Sequence, residues 1–129
     1  MNAFNFQNKK LYAESVPVSD LIRSYGSPLY IYSKGQIETN WGLFKKSFGD
    51  HPHLICYAVK ANSNLAVLSI LAKLGSGFDI VSLGELERVI AAGEDAKNVF
   101  FQELKKMRSQ FKKLLNMEFI ALMLSLKMS

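Results

Sequence analysis

Leu54-Ile55-Cys56-Tyr57-Ala58-Val59-Lys60-Ala61-Asn62-Ser63-Asn64 is the stretch on which the fold of this chain turns. Its first six residues are mostly apolar, two of them β-branched, and predict a strand buried on both faces. Lys60 stands at the C-terminal end of that strand, and Asn62-Ser63-Asn64 makes a polar turn into the next helix. A lysine at that point is costly to bury unless it is paired or has a covalent role. One reading lets Lys60 leave the strand for water. The other makes it a Schiff-base lysine at the mouth of an α/β barrel.

The flanking sequence supplies the units that such a strand needs. Downstream, Asn64 to Leu74 predicts a helix with Leu65, Leu68, Ile70 and Leu71 inward, stopped by Gly75. Gly77-Phe78-Asp79-Ile80-Val81 follows as a short apolar strand interrupted by one carboxylate. Ser82 and Glu85 match a capping box, opening a helix with Leu86, Val89 and Ile90 inward and Gly93 at its end. Val99-Phe100-Phe101 predicts a third strand. Strand–helix–strand–helix–strand at this spacing is a βαβαβ array, hence a parallel sheet with right-handed crossovers.

Upstream, residues 1–10 are polar and without pattern, and Val18 to Tyr25 predicts a short helix ended by Gly26. Ser27-Pro28 leads in extended fashion into Leu29-Tyr30-Ile31-Tyr32, a β-rich run. Ser33 and Gln36 form a second capping-box pattern, and Ile37, Trp41, Phe44 and Phe48 then make one apolar stripe, read as core packing. Gly49-Asp50 and Pro52 end that helix, and His51 and His53 read as turn residues.

Composition narrows the class. In 129 residues, 49% hydrophobic content with 12% aromatics suits a folded core and argues against global disorder. The single cysteine, Cys56, cannot build a disulfide framework or a zinc site, and its strand position predicts a buried structural thiol. The N-terminus has no apolar segment of a signal peptide, and no apolar run approaches the ~20 residues of a membrane span. A cytoplasmic setting is the expectation. Residues 1–100 carry ten Lys/Arg against nine Asp/Glu, whereas residues 101–129 carry six against two, so the basic excess sits in the tail. A coherent basic surface with base-stacking aromatics is not evident, so no nucleic-acid partner is expected.

Tyr57-Ala58-Val59-Lys60-Ala61-Asn62, paired after one helix with Gly77-Phe78-Asp79-Ile80-Val81-Ser82 and Gly84-Glu85, resembles the fold-type III pyridoxal-phosphate decarboxylases. Within them the wording is most similar to the diaminopimelate decarboxylases. Gly26-Ser27-Pro28-Leu29-Tyr30-Ile31-Tyr32 resembles a further segment of that family. The resemblance covers roughly residues 10 to 100; the usual Ser-Gly-Gly-Glu reads Ser82-Leu83-Gly84-Glu85 here. It implies an α/β fold, a partial (β/α)8 TIM barrel of the alanine racemase-like kind, holding the first βαβαβ units after an N-terminal strand segment. It implies pyridoxal 5'-phosphate as cofactor and Lys60 as its Schiff-base lysine, with desolvation at the barrel mouth favouring the neutral amine. Asp79 and Glu85 match carboxylates near the cofactor, Asp79 as a group orienting Lys60 and Glu85 as one that fixes the constellation. A capping role accounts equally well for Glu85.

The resemblance also implies a reaction: decarboxylation of meso-2,6-diaminopimelate to L-lysine in a homodimer, with ornithine, arginine and carboxynorspermidine decarboxylases sharing the Lys60 element. Three strands cannot close a barrel that needs eight, in about 250 residues. A glycine-rich phosphate loop, a ring-stacking histidine, a Glu-Pro-Gly-Arg segment and the C-terminal β domain, with the cysteine it lends across the dimer, are not found in the sequence. The expected organisation is residues 1–35 as a segment packing with that β domain, 36–100 as the start of the barrel, and 101–129 as an out-of-frame tail. At face value, Leu104, Met107, Phe111, Leu114 and Leu115 would make a basic amphipathic helix suited to a membrane surface or a partner. A one-base offset fits better: Met117-Glu118 must then encode glycine, and the codons that follow permit Ile-Tyr-Cys-Phe-Asn-Val-Glu-Ser, similar to the family's next strand. The expected product is a truncated, inactive form.

Overall fold

Asn8 and Lys9, both at positive φ (49° and 63°), turn the chain back on itself after Gln7. This computed structural model describes residues 3–94 and 98–101, and the chain divides into two compact units, Met1–Ile55 and Cys56–Ser129. The readings of residues 102–129, amphipathic helix or offset frame, lie outside the described residues.

In the first unit the turn joins β1 (Phe4–Gln7) to β2 (Lys10–Ala13) in antiparallel register, with Gln7 opposite Lys10. β3 (Val16–Pro17) pairs with the other edge of β2. The sequence expectation of a patternless N-terminus is therefore corrected. Two-residue hairpins need left-handed backbone at both turn positions, and Asn-Lys is a weaker signal for it than Asn-Gly. The β-rich run Leu29–Tyr32 forms no strand; Tyr30 and Tyr32 are exposed, and no described strand offers it a ladder. β propensity without a partner surface does not make a strand.

Helix α1 (Val18–Tyr25) occupies the predicted residues and ends at Gly26 with φ 82°. Helix α2 (Lys34–Phe48) begins at the predicted cap, where Ser33 Oγ accepts from the Gln36 amide at 2.9 Å. The other half of the box is redirected. Gln36 Oε1 accepts from the Ala3 amide at 3.2 Å. Glu14, itself at φ 55°, adds a long-range cap: its Oε1 accepts from Ser33 Oγ at 2.6 Å and from the Gly35 amide at 2.9 Å. The hairpin is thus bolted to the first turn of α2, where unsatisfied amides and the helix dipole favour a carboxylate. The Ser33 hydroxyl first, and then the Gly35 amide, hold the Glu14 carboxyl below its usual value.

This anchoring also explains a second correction. Of the expected stripe, Trp41 is buried and Ile37 half-buried, whereas Phe44 is 61% exposed and Phe48 is exposed too. The hydrogen bonds from the hairpin reach α2 only at its first turn, and residues 42–50 are all exposed.

The second unit has the predicted βαβαβ order. Strands β4 (Cys56–Ala58), β5 (Gly77–Ile80) and β6 (Val99–Phe101) form a parallel sheet in that order, with β5 central. Helix α3 (Leu65–Lys73) and helix α4 (Leu83–Ala91) form the crossovers, closed by Gly75 and Gly93 at φ 84° and 94°. Val59, Leu68, Phe78, Ile80, Val89 and Val99 are almost wholly excluded from solvent and make the core. The inward positions shift slightly: Val67 is buried with Leu68 and Leu71, while Leu65 and Ile90 are exposed. The central strand is shorter than the sequence suggests. Leu54 and Cys56 are exposed, because β4 has a described neighbour on one side only.

Two outcomes test this account. Phe78→Ala should destabilise the second unit by about 3–5 kcal/mol in denaturant titration, the usual cost of emptying a buried aromatic site. The Glu14 clamp contributes its stability above the ordinary carboxylate value of 4.5 and loses it as pH falls through the lowered native value. Protection of the Gly35 amide, its intrinsic exchange rate at each pH relative to the observed rate, should therefore fall on acidification in the native chain, and much less so in Glu14→Gln.

Candidate functional site at the C-terminal strand ends

Burying Phe78 and Ile80 under one face of β5 forces Asp79 onto the other, because strand side chains alternate. Parallel register sets Cys56 beside Gly77, Tyr57 beside Phe78, Ala58 beside Asp79, and Asp79 beside Phe100. One face of the sheet, with Phe78, Ile80 and Val99, is buried in the core. The opposite face carries Cys56, Ala58, Asp79 and Phe100, of which Cys56 and Phe100 are exposed and Asp79 is half-buried.

Lys60 follows directly. Val59–Ala61 forms a 3-10 turn at the end of β4, with Val59 fully buried and Lys60 exposed. The expected desolvation of the amine is not supplied by the described residues: three strands wall too little of a barrel mouth. Exposure alone is equally compatible with a lysine that merely leaves a strand for water.

The loop after Lys60 is well fixed. Tyr57 Oη donates to the Asn62 carbonyl at 3.2 Å, and its ring meets Phe78 edge-on with centroids 6.4 Å apart. Asn62 Oδ1 accepts from the Asn64 amide, and Asn64 Oδ1 accepts from the Ala66 amide as the cap of α3, both at 2.9 Å. Arg88 Nη1 on α4 donates to the Ser63 carbonyl at 3.2 Å. Spacing alone singles out neither Tyr57 nor Arg88. The signal for Arg88 is geometric, since the β4–α3 loop and helix α4 meet only in the folded unit.

Glu85 lies in the first turn of α4, half-buried. Ser82 Oγ accepts from the Glu85 amide at 3.2 Å, and Glu85 Oε2 accepts from the Val81 amide at 2.7 Å. The capping reading of Glu85 is realised, with the reach-back made to Val81 rather than to Ser82. Lys60, Asp79 and Glu85 thus sit at or just beyond the C-terminal ends of adjacent parallel strands, where α/β folds place their chemistry.

Cys56 is not the buried thiol expected of a two-sided strand. It is exposed, yet partial burial of its sulfur first, and then the Asp79 carboxylate on the same face, raise its pKa above the ordinary thiol value. A protonated thiol beside a carboxylate is a poor nucleophile. His51 and His53 precede β4, at the strand end opposite Lys60. His53 stacks on Phe48 at 4.7 Å and its Nδ1 meets the His51 carbonyl at 2.6 Å. They are turn residues, as expected. Among the described residues no cluster of metal-ligating side chains occurs, and no helix is long and apolar enough to cross a membrane.

Comparison with known proteins gives this arrangement a context. Residues 34–124 match the family described as pyridoxal-dependent decarboxylase, pyridoxal binding domain. The chain is 56% identical over 119 residues to diaminopimelate decarboxylase of Vibrio cholerae, an alignment covering 92% of this chain and 28% of that enzyme. It superposes with a TM-score of 0.69 on diaminopimelate decarboxylase from M. jannaschii in complex with L-lysine, at 32% identity over 78% of this chain and 24% of that one. Lysine decarboxylase from Selenomonas ruminantium superposes with a TM-score of 0.61, at 31% identity over 78% of this chain and 25% of that enzyme. The chain spans roughly a quarter of the length of these relatives, and its parallel unit corresponds to part of a TIM barrel of the fold-type III decarboxylases.

Two substitutions separate cap from charge. Glu85→Gln keeps an acceptor for the Val81 amide and should change stability by less than about 0.5 kcal/mol, whereas Glu85→Ala should cost about 1 kcal/mol in denaturant titration. Alkylation of Cys56 at mildly alkaline pH should be slower than for an ordinary thiol and should speed up in Asp79→Asn, because the carboxylate's contribution to the raised thiol pKa is removed.

Proposed function

The chain belongs to the pyridoxal-dependent decarboxylases, and on that premise we propose that it carries the N-terminal part of an enzyme converting meso-2,6-diaminopimelate to L-lysine and carbon dioxide. The observation that carries this reading is the 56% identity to the Vibrio cholerae diaminopimelate decarboxylase across nearly the whole chain, with Lys60 at the mouth of its parallel strands.

Pyridoxal 5'-phosphate is the family's cofactor. The donor set here fits its carbonyl end, with a primary amine at a strand mouth and a carboxylate on the next strand. Lys60 would hold the cofactor through Nζ, Asp79 would orient that amine, and Glu85 would hold the β5–α4 loop through the Val81 amide. When bound, the cofactor supplies an electron sink for the bond to the departing carboxylate. Asp79, on the open face and half-buried, would place its carboxylate next to that centre. Val59 and Phe78 keep water from beneath the loop by filling the core.

These residues alone supply no clamp for the cofactor phosphate, and by themselves they are expected to give no turnover. Residues 1–35 would pack against a C-terminal β domain, and the active form would be a cytoplasmic homodimer. Residues 101–129 are read as an out-of-frame tail, supported by the codon arithmetic at Met117-Glu118. An intact frame past Phe100 with no barrel coding beyond it would overturn that reading. Lysine decarboxylase is the alternative substrate reading, favoured by the fold likeness to the Selenomonas ruminantium enzyme.

A purified chain incubated with pyridoxal phosphate and reduced with borohydride should carry the label on Lys60, by peptide mass mapping. Absence of label there, or label retained in full by Lys60→Ala, would remove the cofactor role. Carbon dioxide release from diaminopimelate but not from L-lysine, measured once the chain is joined in frame to a continuing barrel, would fix the substrate.

A further inference from the structure

Arg88 lies on the exposed side of α4, yet its Nη1 spans to the Ser63 carbonyl at 3.2 Å, joining residues 25 apart in sequence. The β4–α3 loop meets helix α4 there. Ser63 is three residues past Lys60 and one before the cap of α3. On its upstream side, the turn bearing Lys60 is pinned by Val59, which is fully buried. On its downstream side, two successive carbonyls are held: that of Asn62 by Tyr57 Oη, and that of Ser63 by Arg88. The first tie is internal to the β4 segment and says nothing about neighbouring strands. The second runs to α4, the helix that follows Asp79 and carries Glu85.

We infer that Arg88 is a positioning residue for Lys60, fixing the β4–α3 loop against α4 so that the lysine keeps its place relative to Asp79. The inference rests on the reading of Lys60 as the cofactor lysine. A guanidinium is well suited to such a tie. It stays charged, its donors are fixed in a plane, and a charge-assisted bond to a carbonyl is stronger than a neutral one. Exposed arginines without such a bond are substituted with little effect.

The test uses the whole chain and the variants Arg88→Gln and Arg88→Lys. Each is treated with limiting pyridoxal phosphate and then borohydride. Nζ adds to the aldehyde with loss of water, and hydride converts the adduct to a stable secondary amine. Mass mapping gives the ratio of label at Lys60 to label at Lys73, an exposed lysine of α3 serving as internal reference. Hydrogen exchange is followed at amides 62–66 and, as a control for global loosening, at amides 78–80.

In Arg88→Gln the ratio should fall about five-fold and amides 62–66 should exchange about five-fold faster, the size expected for one lost charge-assisted bond at the surface. Amides 78–80 should be unchanged, and Arg88→Lys should recover part of both effects. An unchanged ratio and unchanged exchange in Arg88→Gln would overturn the inference. So would an equal acceleration at 78–80, which would mean general loosening. A wild-type ratio near one would instead sink the cofactor reading of Lys60, and the exchange at 62–66 would then still decide whether Arg88 anchors the loop.

Discussion

The second unit depends on the burial of β5 along one face. Phe78 and Ile80 are both wholly excluded from solvent, and β5 is the one described strand of its sheet paired on both sides. Alternation then leaves no choice for Asp79: it must face the other way, onto the side that α3 and α4 do not cover. The register with β4 sets Ala58 beside it and ends that strand one residue before the turn that holds Lys60. The placement of the charged groups thus follows from the packing of apolar ones. A one-residue slip of β5 would exchange Asp79 for Phe78 on the open face and bury a carboxylate at a cost of several kcal/mol.

Polar side chains complete what packing begins. Each helix that follows a strand in this unit starts with a side-chain cap, Asn64 for α3 and Ser82 for α4, and each cap lies a few residues beyond a candidate site residue. Satisfying the first amides of a helix therefore also orders the loop that carries the candidate residue. Glu85 serves both ends at once, since its carboxylate holds the Val81 amide two residues after Asp79. In the first unit Glu14 caps α2 from outside the helix with one carboxylate oxygen, and Gln36 adds a second tie by accepting from the Ala3 amide.

Legibility in the sequence follows the range of the interactions involved. The βαβαβ unit can be read because its signals are local: period-3.6 apolar residues in α3 and α4, capping residues at their starts, and glycines at positive φ at their ends. Lys60, Asp79 and Glu85 are singled out by the paired wording around them, and the fold brings these candidates to adjacent strand ends. The β1–β2 hairpin escapes a reading of the sequence because its turn, Asn8-Lys9, carries the left-handed backbone without a glycine. A strand at Leu29–Tyr32 is suggested by propensity, which supplies no partner. The stripe Ile37-Trp41-Phe44-Phe48 has a correct period, but what covers a helix face is a tertiary fact. Cys56 and Arg88 elude the sequence for the same reason: the exposure of one and the bond of the other depend on which elements lie alongside.

The exposure of Lys60 has its source in the sheet. In a closed barrel each strand end is walled by its neighbours, and water is excluded from the mouth by the strands on both sides. Here β4 and β6 are the outer strands of the described sheet, so the face with Cys56, Ala58, Asp79 and Phe100 meets solvent instead of a facing wall. Lys60, at the end of β4, is exposed on that open edge. On the proposed reading, the three strands set the places of Lys60 and Asp79, and further strands would wall the same face. Placement and enclosure are separable in this fold, and the three described strands supply the first.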